Sequence, residues 1–200
     1  MTRFVEEAIA KAGLLPVLVA RRSGDLETVR ASATTWGTAD LLALGAVADA
    51  VRIEDVGEVV RIHERARAAS DEADPSDVAW VETSPDASEL DFLRAVAIAR
   101  IAARKGARIG VDWSRCGMEL AQVALGFGAS DLRGPITRKS GLVILEGEKL
   151  KLKGQGMVEL RSIKKQEIGA LVTHAGRLPM FVEDDAPRAR ESSKEEVAGV

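Results

Sequence analysis

Residues 89–128 read ELDFLRAVAIARIAARKGARIGVDWSRCGMELAQVALGFG, and this stretch decides the fold class. Its first part, ELDFLRAVAIARIAARKG (89–106), is a long helix closed by Gly106, with basic residues in the last turn where a helix dipole favours them. ARIGVDW (107–113) then reads as a strand and MELAQVALGFG (118–128) as a helix ending in glycine. Just upstream, DVAWVE (77–82) is a strand candidate followed by the turn SPDASE. Strand, helix, strand, helix is the signature of parallel βα units, so the chain is assigned to the α/β class.

Toward the C-terminus, LVILEGEKLKLKGQGMVEL (142–160) alternates Leu150 and Leu152 with Lys149, Lys151 and Lys153 between glycines, which predicts a β-hairpin insert. SIKKQEIGALVTHAG (162–176) predicts an amphipathic helix with Ser162 as N-cap and Gly176 just past its end. LPMFVED (178–184) follows as a last strand candidate. The Ser-rich, charged residues 184–200 have the composition of a disordered tail.

Toward the N-terminus, residues 1–70 read as a helical segment, although LLPVLVA (14–20) also suits a short strand because Pro16 interrupts it. ADLLALGAVADAVR (39–52) puts Leu41, Leu42, Leu44, Ala48 and Val51 on one broad helical face, with Thr38 as N-cap. VGEVVRIHERARAA (56–69) continues in the same style and makes His63 a surface or half-buried helix residue. SDEADPSD (70–77) is a polar linker, so the βα region is placed at 77–183.

The chain has 200 residues, 46% of them hydrophobic and 30% charged, which suits a packed core and excludes collagen-like and wholly disordered classes. No apolar run reaches the roughly 18–20 residues of a membrane span, and MTRFVEEAIAKAG carries acids where a secretory leader is basic, which predicts a cytoplasmic protein. Cys116 is the single cysteine, and with the separated His63 and His174 it forms no common metal site in sequence. The net charge of −3 conceals an acidic front (residues 1–91) and a basic back (92–182), which can attract phosphates or neutralise each other.

The run FLRAVAIARIAARKGARIGVDWSRCGMELAQVALGFGASDLRG (92–134) resembles the C-terminal part of the radical SAM enzymes of menaquinone and deazaflavin biosynthesis. These are aminofutalosine synthase, dehypoxanthine futalosine cyclase and the FO synthase subunits. The family's helix Leu-Arg-x-x-Ala-x-x-Arg is matched by Leu93, Arg94, Ala97 and Arg100, and its strand ending in Trp by Trp113. Its helix Gly-x-x-Leu-Ala-Gln-x-Ala-Leu is matched by Gly117, Leu120, Ala121, Gln122, Ala124 and Leu125. Its Gly-Ala-Asp-Asp-Leu-Gly-Gly is matched by Gly128, Ala129, Ser130, Asp131, Leu132, Arg133 and Gly134, with Ser130 and Arg133 as departures. ADLLALGAVADAVR resembles the helix before the family's cluster loop, and EIGALVTHAGRLPMFVEDD its closing helix and tail.

The resemblance implies a partial β/α barrel of three parallel strands with a helical N-terminal segment and a hairpin insert. It also implies what is missing: radical SAM chemistry needs three thiolates of a Cys-x3-Cys-x2-Cys loop to hold a [4Fe–4S] cluster that binds SAM, and this chain has one cysteine. The expectation is therefore a catalytically incomplete relative that binds no cofactor alone and acts as a small-molecule-binding or regulatory protein. The alternative is a companion subunit whose partner supplies the cluster and SAM; nucleic-acid binding by the basic half ranks below both. An open sheet edge invites self-association or pairing with such a partner.

The candidate ligand-binding residues are Trp113 and Asp112 at a strand end, where α/β sites open, and Ser130, Asp131 and Arg133 in the Gly-Ala-Ser-Asp-Leu loop. The plainer readings are core or rim packing for Trp113 and an N-cap or ion-pair partner for Asp112. Cys116 reads as a small residue at a helix start, or as a thiol activated by Arg115 and the helix. Arg94 and Arg100 are expected to pair with acids of the front half. Arg133, Arg138 and Lys139 form a small basic cluster, and Lys149, Lys151 and Lys153 line one face of the hairpin, which suits a phosphate, an acidic partner or a solvated edge.

Overall fold

A computed structural model describes residues 2–64, 77–82, 84, 86–137 and 163–182. Four short helices come first: α1 (Arg3–Lys11), α2 (Leu15–Ser23), α3 (Leu26–Ala31) and α4 (Ala33–Trp36). The segment 14–20 is thus helical, since Pro16 falls in the first turn of α2, where its missing N–H costs nothing. The apolar helix α5 (Leu41–Val56) follows, and its N-cap is Asp40, which accepts a 2.8 Å bond from the Ala43 N–H, in place of Thr38. Gly57, at φ 73°, ends it.

Strand β1 (Val59–Glu64) occupies the stretch read as a second helix, which corrects that reading. Val60 and Ile62 are buried on one face while Arg61 and His63 take the other, a period of two that the polar residues disguised. Next among the described residues come β2 (Val78–Trp80), α6 (Glu89–Ala102), β3 (Arg108–Asp112), α7 (Trp113–Cys116), α8 (Met118–Ala124) and β4 (Asp131–Gly134). A capping box of Ser88 and Asp91 starts α6. The chain then adds β5 (Ile136–Thr137), β6 (Ile163–Lys164), α9 (Lys165–His174) and β7 (Leu178–Val182). The hairpin at 142–160, the basic residues at 138 and 139 and the tail at 184–200 lie outside the described residues, whereas the N-cap of α9 is Lys164, in a capping box with Glu167, in place of Ser162.

Five strands, rather than three, form an all-parallel sheet in the order β2-β3-β4-β1-β7. The steps from β2 to β3, β4 and β7 all move one way across the sheet, and right-handed crossovers then put their helices on one side. On that side α6, α8 and α9 pack, with α5 beside α6, over Val60, Ile62, Ile109, Val111 and Leu132. The layer is tight: the fully buried ring of Trp113 lies where a Cβ on Gly134 would sit. Gly134→Ala is therefore expected to cost about 1–3 kcal/mol by overpacking, visible as a lower urea midpoint with an unchanged slope; an unchanged midpoint would contradict this packing.

Arg94 and Arg100 bond to carbonyls and not, as expected, to front-half carboxylates. Arg94 donates to the carbonyls of Trp36 and Ala39, tying α4 and the start of α5 to α6. Arg100, fully buried, donates to the carbonyls of Gly128 and Ala107 and to Oγ of Ser130. The charge division does neutralise itself in places: Arg177 holds Asp49 at 2.8 Å, and Arg115 pairs with Glu82.

Candidate functional site

The opposite sheet face carries the alternate residues of the same strands, and they are charged. Asp131, at the start of β4, is fully buried. It sits opposite Arg61 of β1 and Gly110 of β3. Its Oδ1 accepts from Nε of Arg61 at 2.7 Å and lies 2.9 Å from Nε2 of His63. Its Oδ2 accepts from Nε of Arg108 at 2.7 Å and from Oγ of Ser130 at 2.8 Å. Burial works to raise the Asp131 pKa, but the hydrogen bonds from His63, Ser130 and Arg108 outweigh it and hold the carboxyl below its ordinary value. Arg61 also reaches Asp77 at 2.7 Å. Two guanidiniums and an imidazole thus converge on one carboxylate.

One row nearer the carboxyl ends of the strands, His63, Arg133 and Asp112 align across β1, β4 and β3. Nε of Arg133 donates to Oδ2 of Asp112 at 3.1 Å. Oδ1 of Asp112 accepts from the Ser114 N–H, capping α7, so its N-cap and ion-pair readings are both met. Trp80 of β2 reaches over the bare Cα of Gly110, where any Cβ would meet its ring. The Arg133 guanidinium lies 4.3 Å from the Trp80 ring centre and the His63 ring meets it edge-on at 5.5 Å. Such stacked cations and aromatic edges each add on the order of 1 kcal/mol.

Of the five candidate residues, Asp112, Asp131 and Arg133 share this polar face, and Ser130 supports it from beneath Asp131. Trp113 does not join them. It begins α7, is 1% exposed and packs in the helix layer, so core packing describes it. The sequence reading missed Trp80, Arg61, Arg108 and His63. Gly110 within the strand RIGVD was the available signal, because a glycine inside a strand marks a close approach by another group.

Cys116 packs against the core, and burial, with Asp112 nearby, pushes its thiol up to about 11. This opposes the activated-thiol reading, since the thiolate is the nucleophile. A maleimide at pH 7 is expected to modify the folded protein far more slowly than the urea-unfolded chain; equal rates would contradict the burial. Among the described residues no group of three His, Cys, Asp or Glu side chains is arranged to hold a metal ion, and no helix is long and apolar enough to cross a membrane. No protein-family model matches the chain, and a search of curated proteins finds no significant match.

Proposed function

We propose that the chain is a small-molecule-binding or regulatory protein without catalysis of its own, whose ligand sits at the carboxyl ends of β1, β3 and β4. The observation that carries this reading is the row of His63, Arg133 and Asp112 beside Trp80. Ligands of parallel α/β sheets bind at the carboxyl ends of the strands. An imidazole, a guanidinium, a carboxylate and an indole in one place supply the convergent polar and aromatic groups such sites use.

In the same reading the architecture is part of a β/α barrel related to the radical SAM enzymes of menaquinone and deazaflavin biosynthesis. Two features support it. The crossovers from β2 to β3 and from β3 to β4 run one way, as barrel units do, while β1 lies three strands from β2 and not beside it. In addition β1, the strand after the helix that resembles the family's front helix, pairs in parallel with β4, the strand that resembles the family's last. A barrel closes by pairing its last strand with its first. The family's [4Fe–4S] cluster does not fit this chain: the single Cys116, with its raised pKa, cannot stand in for three thiolates.

A second reading, a companion subunit, is favoured by β2 and β7, which among the described residues are edge strands. An anaerobic pull-down separates the two: iron with a cluster-bearing partner supports the companion subunit, and neither supports the stand-alone protein. Among the described residues Arg108, Arg115, Arg133 and Arg177 are engaged by carboxylates and lend nucleic-acid binding no support.

The test of the first reading is a thermal-shift titration with futalosine and aromatic nucleosides. A ligand that binds only the folded state raises the melting temperature progressively with concentration. The rise is expected in the wild-type protein and is lost in Arg133→Ala and Trp80→Ala; a rise unaffected by both substitutions would place the ligand elsewhere.

A further inference from the structure

His63 is held from three sides. Its backbone is fixed in β1 between β4 and β7, its ring edge rests on Trp80, and its Nε2 is 2.9 Å from Asp131. The Asp131 carboxylate, already accepting from Arg61, Arg108 and Ser130, has no hydrogen to give. The hydrogen between His63 and Asp131 therefore belongs to Nε2, and in the neutral ring Nδ1 is left as a lone-pair acceptor. Nδ1 has no hydrogen-bond partner among the described residues. The His63 side chain keeps 17% of its surface exposed.

We propose that His63 is the specificity-determining acceptor of the site: it selects a ligand that presents an N–H or O–H to Nδ1, and Asp131 positions it by fixing the tautomer. The proposal rests on the ligand-binding reading given above. Its physical basis is the asymmetry of hydrogen bonding. A ligand that supplies the hydrogen satisfies Nδ1, whereas an analogue with a methyl group there covers the acceptor and leaves it unpaired, which discriminates more strongly than apolar fit does.

The experiment uses the full chain labelled with 15N-histidine, observed at pH 8 through two-bond 1H–15N spectra. The probes are benzimidazole and 1-methylbenzimidazole, which differ in one N–H. His63→Phe assigns the His63 signals, since the chain has only two histidines. The expected result is a His63 protonated on Nε2 and bare on Nδ1, with benzimidazole shifting Nδ1 at a concentration at least about tenfold lower than the methylated probe, a difference of one hydrogen bond's order. In His63→Phe, read at the Trp80 indole N–H, the two probes are expected to bind alike.

A His63 protonated on Nδ1, or equal response to both probes in the wild-type protein, would overturn the acceptor role while leaving the site standing. Absence of any response at His63 and Trp80 to either probe would overturn it together with the ligand-binding reading. Where the Phe variant fails to fold, His174→Gln at the exposed second histidine assigns the His63 signals by difference, and the wild-type comparison carries the result.

Discussion

Asp131→Asn is expected to lower the unfolding free energy by about 3–5 kcal/mol, the cost of removing one partner from a buried ionic cluster. The substitution keeps the shape of the side chain and removes its charge. Arg61 and Arg108, whose side chains are 19% and 13% exposed, then face each other across a neutral amide. Arg61 retains Asp77, but Arg108 falls back on the carbonyls of Val59 and Ser130, which carry no compensating charge. Urea denaturation measures the effect as a fall in midpoint without a change in slope. A loss below about 1 kcal/mol, the range of an exposed pair, would mean that the cluster is solvated and not a structural centre.

The same residue sets an acid response. The Asp131 pKa is lower in the folded protein than its ordinary value, so the unfolded chain takes up the proton first as pH falls. The stabilisation is complete above the unfolded value, about 3.9, and is lost as pH falls through the folded value. In the Asn variant this contribution is absent, so its stability is expected to decline less steeply below about pH 4 than that of the wild type.

Arg100→Met is expected to cost a similar amount, about 3–5 kcal/mol, by breaking a buried hydrogen-bond network. Here the charge itself is not the benefit. Burial lowers the guanidinium pKa to about 10, which records how poorly the site favours a cation. The benefit lies in the donors: Arg100 satisfies the Gly128 carbonyl at 2.8 Å, Ser130 Oγ at 3.0 Å and the Ala107 carbonyl in one planar fork. Methionine fills the volume and leaves these acceptors short, at about 1–3 kcal/mol for each buried group unsatisfied. Relief of the buried charge offsets part of this. Lysine is not expected to rescue, since its single ammonium cannot reproduce the fork. A Met variant as stable as the wild type would show that the acceptors find other partners.

These two residues also mark where the sequence is readable. The βα units from Val78 to Gly134 follow from periodicity, from Gly106 and Gly128 after their helices, and from strands rich in Val and Ile. Strand β1 does not, because Val56, Val59 and Val60 fall at helical spacing and the alternation at Arg61 and His63 is polar on both sides of Ile62. A strand whose outer face is an ionic cluster looks, in one dimension, like the solvated side of a helix. The better signal was Gly57 before a β-branched run.

The site was legible to the same extent. Asp112, Asp131 and Arg133 lie within the βα pattern and were found. His63, Arg61 and Trp80 lie on strands whose neighbours only the sheet order reveals, since β1 pairs with a strand some seventy residues away. Trp113 was misplaced by one residue's worth of rotation: after Asp112 the strand ends, and the next side chain turns to the helix layer.

The three tryptophans provide the most direct measurement. Trp36 and Trp113 are fully buried away from the polar face, and Trp80 alone lies beside Arg133 and His63. Titration of the 15N-labelled protein with futalosine and aromatic nucleosides, followed at the indole N–H signals, therefore reports the site by itself. Movement of the Trp80 signal in a saturable way, with Trp36 and Trp113 still, is the predicted result; a still Trp80, or movement at the buried pair alone, would contradict a ligand site at the carboxyl ends of β1, β3 and β4.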